Sequence, residues 1–151
     1  MLGVANSTHT ELVQTNGDAL WTFLRDKEEW AKLIPGYLSH EVQAEDAMIW
    51  EFKGDFGIVE KAVKVQVNVK EVIENKKIAF DLAGISDNIN GEGYFEMEEV
   101  EEGKYKVIGN LNMKAGGFLA AMINPVLEKY VPQTIEQHVQ AIAKHISQAT
   151  V

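Results

Sequence analysis

Four histidines, four tyrosines and no cysteine bound the acid–base and metal chemistry open to this chain. His138 and His145 stand seven apart, two turns along one side of a helix, but no third ligand at helix spacing accompanies them, so no metal site is expected. His40 shares the apolar parity of an alternating segment. It would be a catalytic base, a ligand anchor or a satisfied rim histidine, and the last is preferred. Tyr105 and Tyr130 could orient a ligand carbonyl through their hydroxyls, although aromatics at core spacing read first as core. An enzyme needs inward, pKa-tuned groups. Glu60, Lys64, Lys70, Asp81, Glu92, Glu96, Glu98, Lys104 and Lys106 instead fall opposite the apolar parity, as a solvated sheet face requires. No catalytic residue and no cofactor is named from the sequence.

Glycines carry more information than the ionisable groups. Gly91, Gly93 and Gly109 share the apolar parity of two successive strands, where a filled core would place Val or Leu. Glycine weakens a strand, so something must offset the loss. Curvature of the sheet together with a cavity is one account, and curvature alone is the other. On the first account Trp50, Phe52, Phe80, Leu82, Gly91, Gly93, Leu111, Met113, Phe118 and Met122 line the space and bind a ligand. Gly93→Leu should then fill a void and keep or raise the melting temperature.

The elements that must position these residues can be read from periodicity. Residues 6–15 are polar and β-branched, as in an edge or half-buried strand. Asn16-Gly17-Asp18 offers a cap to a short helix with Leu20, Trp21, Phe23 and Leu24 on its apolar side. Asp26 and Glu29, at capping-box spacing, open a second with Trp30, Leu33 and Ile34. Pro35-Gly36 stops it.

From Tyr37 the period becomes two, the mark of half-buried strands. Leu38, His40, Val42 and Ala44 share one face; Met48, Trp50 and Phe52 another. Val59, Val63, Val65, Val67 and Val69 alternate with polar neighbours. Ile78, Phe80 and Leu82 follow, then Gly91, Gly93, Phe95 and Met97, then Tyr105, Val107, Gly109, Leu111 and Met113. In residues 115–151 the period turns helical, with a stripe of Phe118, Leu119, Met122, Ile123, Val126, Leu127, Tyr130, Val131, Ile135, Val139, Ile142 and Ile146. Pro125, after the capping Asn124, and Pro132 predict a kinked or segmented helix. Short turns imply antiparallel neighbours, and a sheet with one apolar face needs the stripe as its cover.

The fold predicted for residues 1–151 is thus one α+β domain of the helix-grip type. A seven-stranded antiparallel sheet curls around a long C-terminal helix, with two short helices after the first strand. Successive hairpin turns alternate ends, which gathers residues 54–57, 84–90 and 114–117 at one end. The cavity mouth is expected there.

A length of 151 residues with 46% hydrophobic content suffices for one sizeable core. Net charge −9 repels nucleic acid and anionic lipid surfaces. Absence of cysteine removes disulfides, thiolate nucleophiles and cysteine-ligated metal. Residues 1–14 lack a basic start followed by an apolar run, and no apolar stretch is long enough for a transmembrane segment, so a soluble, cytoplasmic protein is expected.

Trp21-x-Phe23-Leu24-x-Asp26, Leu33-Ile34-Pro35-Gly36, Lys53-Gly54-Asp55-Phe56-Gly57, Gly91-Glu92-Gly93 and Lys114-Ala115-Gly116-Gly117, in that order, resemble the carbon monoxide dehydrogenase G-subunit family. That family belongs to the START-like (SRPBCC) superfamily. The resemblance implies a helix-grip fold with an apolar cavity between sheet and helix, an association with a molybdenum-containing dehydrogenase at the membrane, and the handling of quinone. Residues and resemblance together predict carriage of an apolar small molecule, lipid or quinone-like, better than turnover. The alternatives are an accessory protein of a redox-enzyme complex and a START-like cyclase or hydrolase. The enzyme would need His40, Tyr105 and Tyr130 to converge.

Overall fold

The computed structural model describes residues 5–56, 60–85 and 87–150, the side chain of Thr150 excepted. The expected inward position of Val59 and part of the 54–57 turn lie outside them. Seven strands follow each other as β1 (Ala5–Gln14), β2 (Tyr37–Ala44), β3 (Ala47–Asp55), β4 (Glu60–Ile73), β5 (Lys77–Gly84), β6 (Ile89–Glu101) and β7 (Lys104–Ala115). Helices α1 (Gly17–Leu24) and α2 (Lys27–Ala31) separate β1 from β2, and α3 (Ala120–Thr150) ends the chain. The sheet order is β1-β7-β6-β5-β4-β3-β2, with every neighbour antiparallel. This is the α+β helix-grip arrangement expected from the period changes.

Local chemistry explains the short helices. The Asn16 side chain accepts from the Ala19 amide at 2.8 Å and opens α1; Asp26 accepts from the Glu28 amide at 3.0 Å and opens α2. Since β1 and β2 are the two opposite edges, the α1–α2 connection must cross one end of the sheet. Trp30 is fully buried there, its indole N–H donating to the Leu24 carbonyl at 3.0 Å. Its ring stacks on Phe80, with centroids 4.9 Å apart, and meets Trp50 edge-on at 5.7 Å.

Three expectations need correction. The parity face of β2 is not buried: Leu38 and Val42 are exposed, because β2 is an edge strand and its register shifts between Tyr37 and Ser39 and again between Val42 and Ala44. The apolar stripe of residues 115–151 is fully buried only from Leu127 onward, with Ile123 partly buried against the core. Phe118 precedes the helix and is 94% exposed, and Met122 in the first turn is 71% exposed. Finally, α3 is one 31-residue helix that contains both prolines. Pro125 and Pro132 are exposed, as are Ala121 and Glu128, whose carbonyls lose the proline amide partner, so the missing bonds fall on the solvent side of the helix.

Asn124 is therefore not a helix cap. Its side chain accepts from the Ala115 amide at 2.8 Å and donates to the Ala115 carbonyl at 3.2 Å, fastening the end of β7 to α3. Asn124→Ala should cost about 2 kcal/mol in urea unfolding, and Asn124→Asp, which keeps the acceptor but turns a carboxylate oxygen toward the Ala115 carbonyl, should also be destabilised. Equal stability of all three proteins would show that the link contributes nothing.

Candidate ligand cavity

Between the sheet and α3 lies an internal cavity of about 20 Å³. Six of the residues predicted to bind a ligand line it: Trp50 and Phe52 of β3, Phe80 and Leu82 of β5, and Leu111 and Met113 of β7. Their alternation put them on one face, and antiparallel register brought them together. The wall is completed by Ile34, Phe95, Asn110, Tyr130, Thr134, Ile135 and His138, which were not predicted as ligand contacts.

The other four predicted residues are not part of the wall. Phe118 and Met122 face solvent. Gly93 does not border a void: a Cβ there would stand 2.6 Å from the Asn110 carbonyl oxygen and 2.8 Å from the Phe80 ring. At Gly91 the corresponding atom would stand 2.1 Å from the Asn112 carbonyl oxygen. Gly109 admits the Val139 methyl to within 2.4 Å of the same position. These glycines let strands and helix approach closely, so Gly93→Leu should overpack rather than fill space.

On α3 the wall carries a line of buried polarity. Tyr130, Thr134 and His138 follow one another at four-residue spacing on α3, so they share one helix face, and all three are buried. Burial pushes the Tyr130 phenol up to about 12, with the Thr134 hydroxyl beside it pulling the other way. Burial pushes His138 down to about 4, and the Trp30 carbonyl, 2.7 Å from Nε2, only partly offsets this. His138 is thus neutral at pH 7. The indole N–H groups of Trp30 and Trp50 are occupied by the carbonyls of Leu24 and Ala31.

The remaining candidates lie elsewhere. His40 is bonded to Tyr37 at 2.8 Å and to Glu28 at 3.0 Å, and the bond to His40 holds the Glu28 carboxyl below its usual range. Tyr105 donates to Glu99 at 2.9 Å, which raises its phenol, whereas Tyr130 packs against Phe56 with ring centroids 4.8 Å apart. His40, Tyr105 and Tyr130 therefore have three separate sets of partners. His145 is exposed, its ring 5.3 Å from Phe23, and no cluster of three metal-ligating side chains occurs among the described residues. On the outer sheet face Lys70 bridges Asp81 at 2.9 Å and Glu92 at 2.5 Å, as a solvated face would.

The glycine-bearing connections do meet at one end. The Gly116 amide donates to the Asn88 carbonyl at 2.9 Å, Lys61 pairs with Asp87, and Gly54 lies against Phe56 and Tyr130. A larger open cleft of about 740 Å³ involves Arg25, Asp26, Lys27, Glu45, Asp46 and nearby apolar side chains. Two of its charges are already engaged in folding: Asp26 caps α2, and Lys27 donates to the Glu45 carbonyl at 2.8 Å.

Solved structures share this architecture. A conserved protein from Geobacillus kaustophilus superposes with a TM-score of 0.79 at 18% identity, covering 97% of this chain and 97% of that one. A START superfamily protein from Mycobacterium smegmatis gives 0.76 at 15% identity, covering 96% and 99%. The Zhui aromatase/cyclase of Streptomyces sp. R1128 gives 0.74 at 12% identity, covering 98% and 96%. At such identities the likeness establishes the START-like fold. No curated protein is significantly similar in sequence. The pattern of the carbon monoxide dehydrogenase G-subunit (CoxG) family matches residues 10–147, nearly the whole chain. The chain belongs to the carbon monoxide dehydrogenase G-subunit family.

Proposed function

We propose that this protein binds and carries an apolar small molecule, lipid or quinone-like, between the sheet and α3. The supporting observation is a cavity whose wall is mostly aromatic and aliphatic, its polar members being Asn110 of β7 and the short line on α3. Binding requires expansion: about 20 Å³ accommodates at most a single water, whereas pockets for drug-sized ligands measure about 300 Å³ or more. That expansion would have to separate the sheet from the α3 residues that line the cavity, Tyr130, Thr134, Ile135 and His138.

Extraction of the purified protein with organic solvent, followed by mass spectrometry, should release an apolar compound. Reloading with a saturating ligand, at about a hundred times its Kd, should raise stability by about 2.7 kcal/mol and the melting temperature by about 5–10 °C. No extracted compound and no shift across a panel of quinones, fatty acids and apolar dyes would overturn the reading.

The family description supports a second reading, an accessory of a molybdenum-containing carbon monoxide dehydrogenase-type enzyme. Phe118, Leu119 and Met122 supply exposed apolar surface for such a contact. Co-purification with the dehydrogenase polypeptides tests it, and retention of the complex after Phe118→Ser would remove this surface from the account. Cyclase or hydrolase chemistry has less support, since His40, Tyr105 and Tyr130 do not share a site.

A further inference from the structure

We propose that the cavity selects an uncharged apolar molecule bearing a hydroxyl group, a phenol or alcohol, whose O–H donates to Nδ1 of His138. This inference rests on the carrier reading above. The Trp30 carbonyl can only accept, so its 2.7 Å bond places the ring proton on Nε2 and leaves Nδ1 as a lone pair. His138 is 3% exposed, and its only hydrogen bond among the described residues is the one to Trp30. His138, its Nε2 already bonded, is one of the residues that line the cavity, so Nδ1 is the ring nitrogen left for a ligand there.

The ring cannot turn away without surrendering Trp30. It is also held between Trp50 and Phe95, with centroids 5.9 and 5.4 Å away. Burial pushes the imidazole down to about 4, so it stays an acceptor at neutral pH. An acceptor fixed in an apolar wall discriminates by hydrogen-bond sense: it gains a bond from an O–H and none from a carbonyl or ether oxygen. Among quinone-like molecules this favours the hydroquinone, which carries O–H groups, over the quinone, which carries only acceptors. A carboxylate would bring its charge and no donor.

Calorimetric titration with 1-naphthol and 1-methoxynaphthalene, which differ by one methyl group on the oxygen, separates the cases. Wild type should bind the naphthol about tenfold more tightly, and His138→Phe should abolish the difference while retaining the ether. Because that variant also strips a partner from the Trp30 carbonyl, the second measurement uses wild type alone. In ¹⁵N-histidine NMR, the Nδ1 signal of His138 should move on saturation with the naphthol and stay in place with the ether. Equal affinity of wild type for the two compounds overturns the proposal, as does an unmoved Nδ1 signal with the naphthol bound; both outcomes leave the carrier reading standing. Failure of both compounds to bind at any concentration overturns the proposal and counts against the carrier reading as well.

Discussion

Gly93→Leu is expected to lower the melting temperature by about 6–12 °C, a loss of about 3 kcal/mol. The position is buried on β6, paired with Leu111 on one side and Phe80 on the other. Its missing Cβ would meet the Asn110 carbonyl oxygen at 2.6 Å and two carbons of the Phe80 ring at 2.8 and 3.0 Å. The ring could shift only by disturbing its stack on Trp30, 4.9 Å away, and the carbonyl belongs to a strand bonded to β6 along its length. Four added carbons thus force apart either two strands or an aromatic cluster. Gly93→Ala isolates the first of those carbons and should cost about 1 kcal/mol or more. Thermal unfolding of both variants checks this. An unchanged or raised melting temperature for Gly93→Leu would show that space does open behind the glycine.

The same glycine marks the limit of what the sequence discloses. Alternation in β3, β5, β6 and β7 carried enough information to place Trp50, Phe52, Phe80, Leu82, Leu111 and Met113 on one wall, because strand parity and antiparallel register leave little freedom. A missing side chain, by contrast, does not say what occupies its place. At Gly91 and Gly93 it is a neighbouring strand's carbonyl, and at Gly109 it is Val139 of α3. Periodicity likewise says which side of a helix is apolar without saying where the sheet beneath it ends. Phe118 and Met122 continue the stripe in sequence yet remain outside the core. Leu38 and Val42 fail for a related reason, since parity on an edge strand has no cover to be buried against.

His138 is visible in the sequence only through its seven-residue spacing to His145, which without a third ligand implies no metal site; its bonding partner is the Trp30 carbonyl, 108 residues away in the chain. No local pattern encodes such a contact. A usable signal was nevertheless present on α3: Tyr130, Thr134 and His138 follow the same three- and four-residue spacing as Leu127, Val131, Ile135, Val139 and Ile142. Polar side chains interrupting a stripe that must be buried need partners inside, and each becomes a candidate for recognition.

The neutrality of that histidine predicts acid lability. Folding lowers the His138 pKa from 6.5 to about 4, so between these values the unfolded chain binds a proton that the folded chain excludes. Stability therefore rises with pH wherever the unfolded state holds more protons, here from about pH 4 to 6.5, and this contribution is flat above that window. At about 1.4 kcal/mol per pKa step, the full depression corresponds to about 3 kcal/mol lost as the pH falls from 7 to 4. Glu28, whose carboxyl is held low by His40, loses stabilisation in the same direction, but it is exposed and common to every variant compared. His138→Gln isolates the buried ring, because its amide can still donate toward the Trp30 carbonyl and does not titrate. Urea unfolding at pH 7, 6, 5 and 4 should show wild type losing about 3 kcal/mol more than His138→Gln across the series, with most of the difference below pH 6. Parallel pH profiles for the two proteins would mean that the ring accepts a proton in the folded state, and its place as a fixed acceptor in the cavity wall would fall with that result.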